Sequence, residues 1–328
     1  MPVREMTYRE SLNEALRREM RRDPTVFLMG ENIGARGGSF KVTAGLLDEF
    51  GPRRVIDTPL AEAAFTGAGI GAAITGMRPV VEILFVDFST LAMDQLVNQA
   101  AKRRFMTRGK GTVPLVLRTQ GGSGTGLSAQ HSQSLEAWFY HVPGLRVVMP
   151  STAHDAGGLL TSAIRCDDPV VFIEHKLLYQ TRSSVPDEDY SIVLGKADVK
   201  RTGGDVTLIA WSNMVHHCLA AAGRAAGEGI DVEVVDPRTL SPLDTETILE
   251  SVRKTGRAVI AQEAVRRGGV ASDIASIIQR ETWRELKAPV AITAGKNTPV
   301  PFNAALEAVC VPNEDDIFRA VNETAHFS

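Results

Sequence analysis

The chain has 328 residues, which is long for one domain and sufficient for two. Its charged fraction of 23% and formal net charge of −3 are ordinary, so bulk electrostatics gives no reason to expect a nucleic-acid partner. The three cysteines are scattered without CxxC spacing, which argues against a disulfide framework and favours a reducing compartment.

The first part of the chain alternates helical and strand-like patterns. Helices are predicted at 7–22, 39–50, 61–76, 89–107 and 153–166, and strands at 26–34, 54–59, 78–88, 113–120, 145–151 and 169–175. Such alternation is typical of a mostly parallel sheet that is covered by helices.

Residues 180–203 are polar, interrupted by proline and glycine, and contain one strand-like piece, which indicates an interdomain connection. The alternation then restarts, with strands at 205–212, 230–240, 257–264 and 288–295 and helices at 213–227, 243–255 and 269–285. We therefore predict an α/β protein with a first domain over 1–188, a linker over 189–203 and a smaller α/β domain over 204–328.

Glu62 is the most informative single residue. It is the only ionisable side chain from Pro59 to Ile74, among small and apolar neighbours. A carboxylate there costs free energy unless it is solvated, paired or protonated. Desolvation favours the protonated form, so Glu62 is a candidate proton donor near neutral pH. The alternative is a structural glutamate near a helix N-terminus, in a capping pattern with Thr58 or Pro59.

His131 follows a Gly/Ser-rich loop and precedes a segment with a helical pattern. A histidine in that position could move protons at neutral pH. The alternative is a capping or hydrogen-bonded structural histidine. His141 is a weaker candidate, and the adjacent His216 and His217 are expected to be solvated on an exposed helix.

Other chemical motifs are incomplete. The run from Gly67 resembles GxGxxG, but Ala72 replaces the third glycine and no acidic residue follows in the dinucleotide-binding position. No GxxxxGK[ST] phosphate loop, HExxH motif or Cys/His metal cluster occurs, and a GxSxG hydrolase elbow is not supported.

Longer segments resemble a known family. They include MGENIGARGGSFKVTAGLLDEFGPRRVIDTPLAEAAFTGAGIGAAITGMRPVVE, AMDQLVNQAAKRR, QHSQSLEAWFYHVPGLRVVMPSTAHDAGGLLTSAIRCDDPVVF and DPRTLSPLD. In these the chain resembles the beta subunit of the thiamine-diphosphate-dependent first component of 2-oxo acid dehydrogenase complexes. The resemblance implies a pyrimidine-binding domain with a parallel, helix-covered sheet, followed by a transketolase C-terminal-like α/β domain.

The resemblance also implies site residues. Glu62 matches the glutamate that contacts the aminopyrimidine ring of thiamine diphosphate, and Leu60 and Phe88 match positions that pack around that ring. His131 matches the active-site histidine that is expected to act in reductive acylation of a lipoyl group. Acidic positions that would line a polar passage between paired sites are matched by Glu31 and Asp94.

A monovalent-cation site, usually for potassium, is a further implication of the resemblance. It is built mostly from backbone carbonyls, and the matching positions are Leu115, Ala163, Ile164, Cys166 and Asp168. Cys166 stands where aspartate is more usual and Asp168 where asparagine is more usual. A site made of carbonyl ligands tolerates such changes, so possible potassium binding stays an expectation.

The chain lacks the GDG motif with which thiamine-diphosphate enzymes hold the diphosphate through Mg²⁺, since Gly204-Asp205 is followed by valine. The resemblance therefore implies that an alpha subunit holds the magnesium and shares the cofactor. It further implies a tetramer of two alpha and two beta chains, with the C-terminal domain serving beta–beta contact and docking to a lipoyl acyltransferase core.

The expected activity is oxidative decarboxylation of a 2-oxo acid with acyl transfer to lipoyl. Pyruvate is the first choice of substrate, because the LSAQHSQS loop resembles that of pyruvate and acetoin relatives more than that of branched-chain relatives. The alternatives are acetoin cleavage, a branched-chain substrate, a split transketolase-like subunit, or a non-catalytic assembly subunit. The retention of both Glu62 and His131 argues against the last of these.

The location expected from the sequence is cytoplasmic, or the mitochondrial matrix in a eukaryote, although no transit peptide is visible. The charged N-terminal segment lacks the apolar core of a secretory signal. No stretch reaches the roughly 18 apolar residues of a membrane span, so we expect no membrane partner.

Overall fold

A computed structural model describes residues 3–327, so the outermost ends of the predicted domains lie outside the described residues. The chain forms two compact units. The first takes in the chain up to Gly121 together with Trp138–Leu194, and the second takes in Gly122–Ala137 together with the chain from Gly195 onwards. The boundaries predicted at 188 and 204 stay a prediction.

The helices and strands follow one another in regular alternation. Up to residue 194 they are β1 (Val3–Thr7), α1 (Tyr8–Arg22), β2 (Val26–Gly30), α2 (Leu46–Phe50), β3 (Val55–Asp57), α3 (Glu62–Ile74), β4 (Arg78–Ile83), α4 (Arg103–Met106), β5 (Val116–Gly121), α5 (Glu136–Tyr140), β6 (Arg146–Val148), α6 (Ala153–Arg165), β7 (Val170–His175) and β8 (Arg182–Pro186). The rest are β9 (Asp198–Arg201), β10 (Val206–Ala210), α7 (Met214–Gly227), β11 (Val232–Asp236), β12 (Thr239–Ser241), α8 (Thr245–Thr255), β13 (Ala258–Val265), α9 (Val270–Thr282), β14 (Ala291–Gly295), α10 (Ala304–Ala308) and α11 (Glu314–Ala325).

A parallel sheet forms the centre of the first unit. Six of its strands lie in the order β6-β7-β5-β4-β2-β3, and every one of these neighbouring pairs is parallel. β2, β5 and β7 are buried along their whole length, as expected of parallel strands covered on both faces, and β2 is an uninterrupted apolar run. β1 pairs with β8 in a separate antiparallel ribbon.

α1 shows how the sequence determines a helix that packs on this core. Thr7 caps its first turn, because the Thr7 hydroxyl accepts the Glu10 N–H at 3.2 Å and the Glu10 carboxylate accepts the Thr7 N–H at 2.8 Å. Leu12 and Leu16 are spaced by four residues, so both face the core and are fully buried. The helix predicted at 7–22 is confirmed.

The second unit contains a five-stranded sheet in the order β14-β13-β10-β11-β9. Only β9 runs antiparallel to its neighbour. α7 and α11 contribute buried residues to the core beside this sheet. The predicted fold class, a parallel helix-covered sheet followed by a second α/β unit, is confirmed.

Several local predictions were wrong. The helix expected at 39–50 is formed only over Leu46–Phe50, because Lys41 and Gly45 adopt positive φ values of 63° and 75° that interrupt a helix. The strand expected at 78–88 stops at Ile83, before Phe85 at φ 65°. Residues 180–203 were expected to hold one strand-like piece, whereas they contain two strands, β8 and β9. The helices α10 and α11 were not predicted.

Helical turns over 89–107 were expected and are present, although in three different forms. A 3-10 helix spans Val86–Ala92, a π-helical turn spans Gln95–Ala100, and α4 follows.

Among the described residues, no helix is both long enough and apolar enough to cross a lipid bilayer.

Candidate active site

The carboxyl ends of β2, β3 and β4 meet at one edge of the first unit's parallel sheet, which is where ligands bind in open α/β sheets. Glu31 directly follows β2, Glu62 is the first residue of α3 after β3, and Phe88 lies in the 3-10 helix after β4. The strand order therefore brings together three of the predicted site residues.

Glu62 occupies the first turn of α3, where a negative charge is favoured by the helix dipole. The residue before it, Ala61, makes no side-chain cap, so the capping pattern with Thr58 or Pro59 is not formed. Glu62 itself is half-buried, and the side chain of Leu60 beside it is 79% exposed. Residues of this chain therefore cover only part of the apolar surface that the sequence places around Glu62.

Glu31 has an unusual electrostatic environment. Its side chain is only 7% exposed. Burial raises the pKa of Glu31 to about 7, and the nearby carboxylates of Glu62 and Glu82 add to the rise. Sequence reasoning looked for a near-neutral proton donor at Glu62 and gave Glu31 only a place in a polar passage. The available signal was the position of Glu31 at the end of a fully apolar strand.

Glu31→Gln is expected to increase stability relative to the parent chain as the pH rises from 5 to 8. The folded pKa lies above the unfolded value of about 4.3, so the stability that Glu31 contributes is complete below that value and is lost as pH rises through 7. A gain of 1 kcal/mol would raise the Tm by roughly 2–4 °C. Thermal unfolding at both pH values measures this. Asp94→Asn, at an exposed position, serves as the control, and a pH-independent difference for Glu31→Gln would contradict the assignment.

Three buried polar atoms near this edge have no hydrogen-bond partner among the described residues. They are Glu31 Oε1, Thr58 Oγ1 and Gln120 Nε2, which follow or end β2, β3 and β5. A buried polar atom without a partner costs about 1–3 kcal/mol and commonly marks the place of a bound molecule. The edge therefore fits a ligand that offers polar groups to these atoms.

Three phenylalanines pack against one another in the segments that follow β2 and β4. Phe88 makes an edge contact with Phe85 at a centroid distance of 6.3 Å, and Phe85 makes another with Phe40 at 6.0 Å. Phe85 has a φ of 65°, a strained conformation for a bulky residue that is found most often at functional sites. Asp94, on the helical segment after Phe88, is exposed and accepts a hydrogen bond from Asn98 at 2.6 Å.

A buried ion cluster lies in the sheet below, and sequence reasoning missed it. Arg118 donates to Glu82 at 2.5 Å and to both oxygens of Glu174 at 2.5 and 2.8 Å, while the Tyr179 hydroxyl donates to Glu174 at 2.6 Å. All four side chains are almost fully buried. The signal was three charged residues within apolar strands.

His131 belongs to the second unit and is half-buried. Its own N–H donates to the carbonyl of Ser128 at 3.2 Å, and the loop is closed by a hydrogen bond of 3.0 Å from the Gly122 N–H to the carbonyl of Gln133. The helix expected directly after His131 begins only at Glu136. His216 and His217 are half-buried on α7, which corrects the expectation of an exposed pair.

Two of the five positions predicted to bind potassium share a cation in this structure, and that cation is the Arg78 side chain. Arg78 donates to the carbonyls of Ile164 and Cys166 at 3.0 and 3.1 Å. The Leu115 carbonyl accepts the Val170 N–H at 2.9 Å, and that of Ala163 accepts the Cys166 N–H at 3.2 Å. The Asp168 side chain is bound by Arg104 and Arg146. Potassium binding at these positions therefore stays a prediction.

No group of three or more His, Cys, Asp or Glu side chains within residues 3–327 is arranged to hold a metal ion. Mg²⁺ prefers oxygen ligands, usually one or two carboxylates together with phosphate oxygens and water.

Comparison with protein families matches both units. The model described as transketolase, pyrimidine binding domain, matches residues 4–182, and the model described as transketolase, C-terminal domain, matches residues 195–317. Among solved structures, a split-gene transketolase described as an inactive beta4 tetramer has a TM-score of 0.80 at 23% identity, covers 98% of both chains, and shares the fold.

Three relatives match at similar levels. The chain is 46% identical to the mitochondrial pyruvate dehydrogenase E1 component subunit beta-2 of Oryza sativa subsp. japonica, over 99% of this chain and 87% of that protein. It is 44% identical to the 2-oxoisovalerate dehydrogenase subunit beta of Bacillus subtilis, over 98% and 99%. It is 45% identical to the beta subunit of the acetoin:2,6-dichlorophenolindophenol oxidoreductase of Cupriavidus necator, over 98% of each.

Proposed function

The chain belongs to the family of transketolase-like beta subunits of 2-oxo acid dehydrogenases, and from this premise we propose that pyruvate is its substrate. The family is thiamine-diphosphate-dependent, carries out oxidative decarboxylation and works with an alpha subunit in a tetramer. The proposal for the site rests on one observation at the sheet edge. Half-buried Glu62 lies near Glu31, whose Oε1 atom is buried and has no hydrogen-bond partner.

We propose that this chain supplies the half of the site that holds the aminopyrimidine ring. Thiamine diphosphate, when bound, supplies the nucleophilic carbon and the electron sink for decarboxylation. Glu62 would hold a proton at a ring nitrogen, while Leu60 and Phe88 would pack against the ring faces. The exposure of Leu60 supports burial by another chain. Magnesium and the diphosphate would be held by the alpha subunit, because this sequence lacks GDG.

We propose pyruvate on the strength of the LSAQHSQS loop, since identities of 46%, 44% and 45% to the three relatives do not discriminate between their substrates. Acetoin is the second candidate. A branched-chain 2-oxo acid and ketol transfer in the manner of a split transketolase are the other outcomes of a substrate panel.

Reconstitution with an alpha subunit tests the proposal. This chain alone should neither bind thiamine diphosphate tightly nor decarboxylate pyruvate, and the co-expressed tetramer with Mg²⁺ should do both. Calorimetric binding and a panel of pyruvate, 2-oxoisovalerate, acetoin and a ketose phosphate provide the measurements. Each protein alone is the control, and decarboxylation by this chain alone would contradict the division of the site.

Matched assays in KCl and in choline chloride test the proposed potassium site. If the tetramer has the same Tm and the same rate in both salts, the potassium site is excluded.

His131→Ala should slow acylation of a lipoyl domain by about 10²-fold or more, the range for a lost acid–base group. Decarboxylation that is followed with an artificial electron acceptor should fall much less, because we propose that His131 acts in acyl transfer to the lipoyl group of an acyltransferase core. Exposed His141 provides the matched control, as His141→Ala. Equal losses in both assays would remove His131 from the transfer step.

We propose that Glu31 and Asp94 line a polar passage between paired sites. What supports this is the near-neutral pKa of Glu31, which allows it to accept and return a proton at physiological pH. The Glu31→Gln tetramer serves as the test here too. If its two sites activate the cofactor with the same kinetics as the parent tetramer, the passage carries no proton between them.

A further inference from the structure

Two glutamates hold the loop that carries His131. Glu307, on α10, is only 3% exposed, and its two carboxylate oxygens accept the N–H groups of Gly124 and Gly126 at 2.7 and 2.9 Å. Glu307 therefore accepts two backbone hydrogen bonds from the part of the loop that precedes His131.

Glu263, in β13, holds the two ends of the same loop. One carboxylate oxygen accepts the Ser123 N–H at 2.6 Å and lies 3.3 Å from the Ser134 hydroxyl, which donates to it. Ser123 and Ser134 lie on opposite sides of His131 in sequence. The loop around His131 is thus hydrogen-bonded to side chains of α10 and β13 at four points, three through backbone N–H groups and one through the Ser134 hydroxyl.

The loop needs such ties because its own backbone is unusually free. Gly122, Gly124 and Gly126 adopt φ values of 87°, 91° and 68°, where glycine is favoured, and no helix or strand forms between β5 and α5. A flexible segment loses much conformational entropy when one geometry is fixed. Hydrogen bonds from backbone N–H groups to ionised carboxylates are among the stronger ones in proteins and can offset that cost.

We propose that Glu307 and Glu263 are positioning residues that fix the His131 loop for acyl transfer to the lipoyl group. The proposal rests on the proposed function for the role of His131. The four hydrogen bonds from the loop to Glu263 and Glu307 do not depend on the proposed function, because their distances alone define them. Neither glutamate is proposed to touch the reacting atoms, and each acts through its hydrogen bonds to the loop.

The test uses Glu307→Gln in the reconstituted tetramer. Glutamine keeps the size of the side chain, but its amide has one acceptor oxygen where the carboxylate has two, so one of the two glycine N–H groups loses its partner. Hydrogen exchange of the Gly124 and Gly126 amides should quicken by about tenfold or more. Exposed Glu228 gives the matched control, and Glu228→Gln should leave that exchange unchanged.

The second readout separates positioning from general damage. Glu307→Gln should lower lipoyl acylation about tenfold relative to decarboxylation with an artificial acceptor. In a His131→Ala background the same change should add almost nothing, because groups that act through one residue are not additive. Losses that multiply in the double variant, or unchanged exchange in the single variant, would overturn the proposal.

Glu263→Ala provides an independent variant if Glu307→Gln does not assemble. It removes the acceptor for Ser123 and Ser134, so it should speed exchange at Ser123 and give the same non-additive loss with His131→Ala. If the parent tetramer decarboxylates pyruvate but acylates no lipoyl domain, the proposed transfer role of His131 fails. Hydrogen exchange then decides by itself whether the two glutamates hold the loop.

Discussion

Glu62→Gln in the reconstituted tetramer is expected to lower the rate of pyruvate decarboxylation by about 10²-fold or more, as for other acid–base groups. Glutamine matches glutamate in shape and can still accept a hydrogen bond, but it cannot hold or release a proton at a ring nitrogen. Glu62 is only half-buried at the N-terminus of α3, so the substitution should leave the stability of the chain almost unchanged.

A second measurement on the Glu62→Gln variant is the pKa of the neighbouring Glu31. The Glu62 carboxylate is one of the groups that raise the pKa of Glu31, so its removal should bring the pKa of Glu31 below 7. Carbon NMR of labelled glutamate side chains in the tetramer can follow that titration. Glu188→Gln, at an exposed position of the first unit, is the matched control for both readouts. A rate equal to that of the parent tetramer would exclude Glu62 from the mechanism.

The sequence predicted the presence of most helices and strands better than the points at which they end. Apolar periodicity located every strand of the two main sheets except β9 and β12, the second of which it merged with β11. The long helices α1, α3, α6, α7, α8 and α9 begin and end within a few residues of their predictions. It could not predict the stop after Ile83, because the positive φ of Phe85 is imposed by packing among Phe40, Phe85 and Phe88. Propensity gives a bulky aromatic residue no tendency toward that conformation.

In the candidate site, too, the sequence predicts local features but not those that depend on residues far apart in the chain. Glu62 could be found from the sequence because its neighbours are apolar and adjacent along the chain. The environment of Glu31 depends on residues after β3 and in β4, so its raised pKa requires the parallel register that places β2 between those strands. Contacts from Glu263 and Glu307 to the His131 loop join positions more than 120 residues apart. No local pattern encodes them.

The largest effect on stability is expected from Arg118→Met. Arg118 is buried between Glu82 and Glu174, and removal of one partner from a buried ion cluster costs about 3–5 kcal/mol because the remaining charge is left without compensation. Burial already raises the pKa of Glu82, against the opposing effect of Arg118. Without the guanidinium that pKa should rise further, so the loss of stability should be smallest near pH 5 and grow as pH rises toward 8.

Denaturant unfolding of the Arg118→Met chain at pH 5 and pH 8 measures the effect. Arg4→Met is the matched control in the same unit, since Arg4 and Asp187 are exposed and their ion pair is worth at most about 1 kcal/mol. The triple variant E82Q/R118M/E174Q removes all three charges and should recover much of the lost stability, because a buried neutral amide costs far less free energy than a buried carboxylate without a counter-charge. If the triple variant is as unstable as Arg118→Met, lost packing around a large side chain is the cause, and the charge balance of the cluster contributes little to the fold.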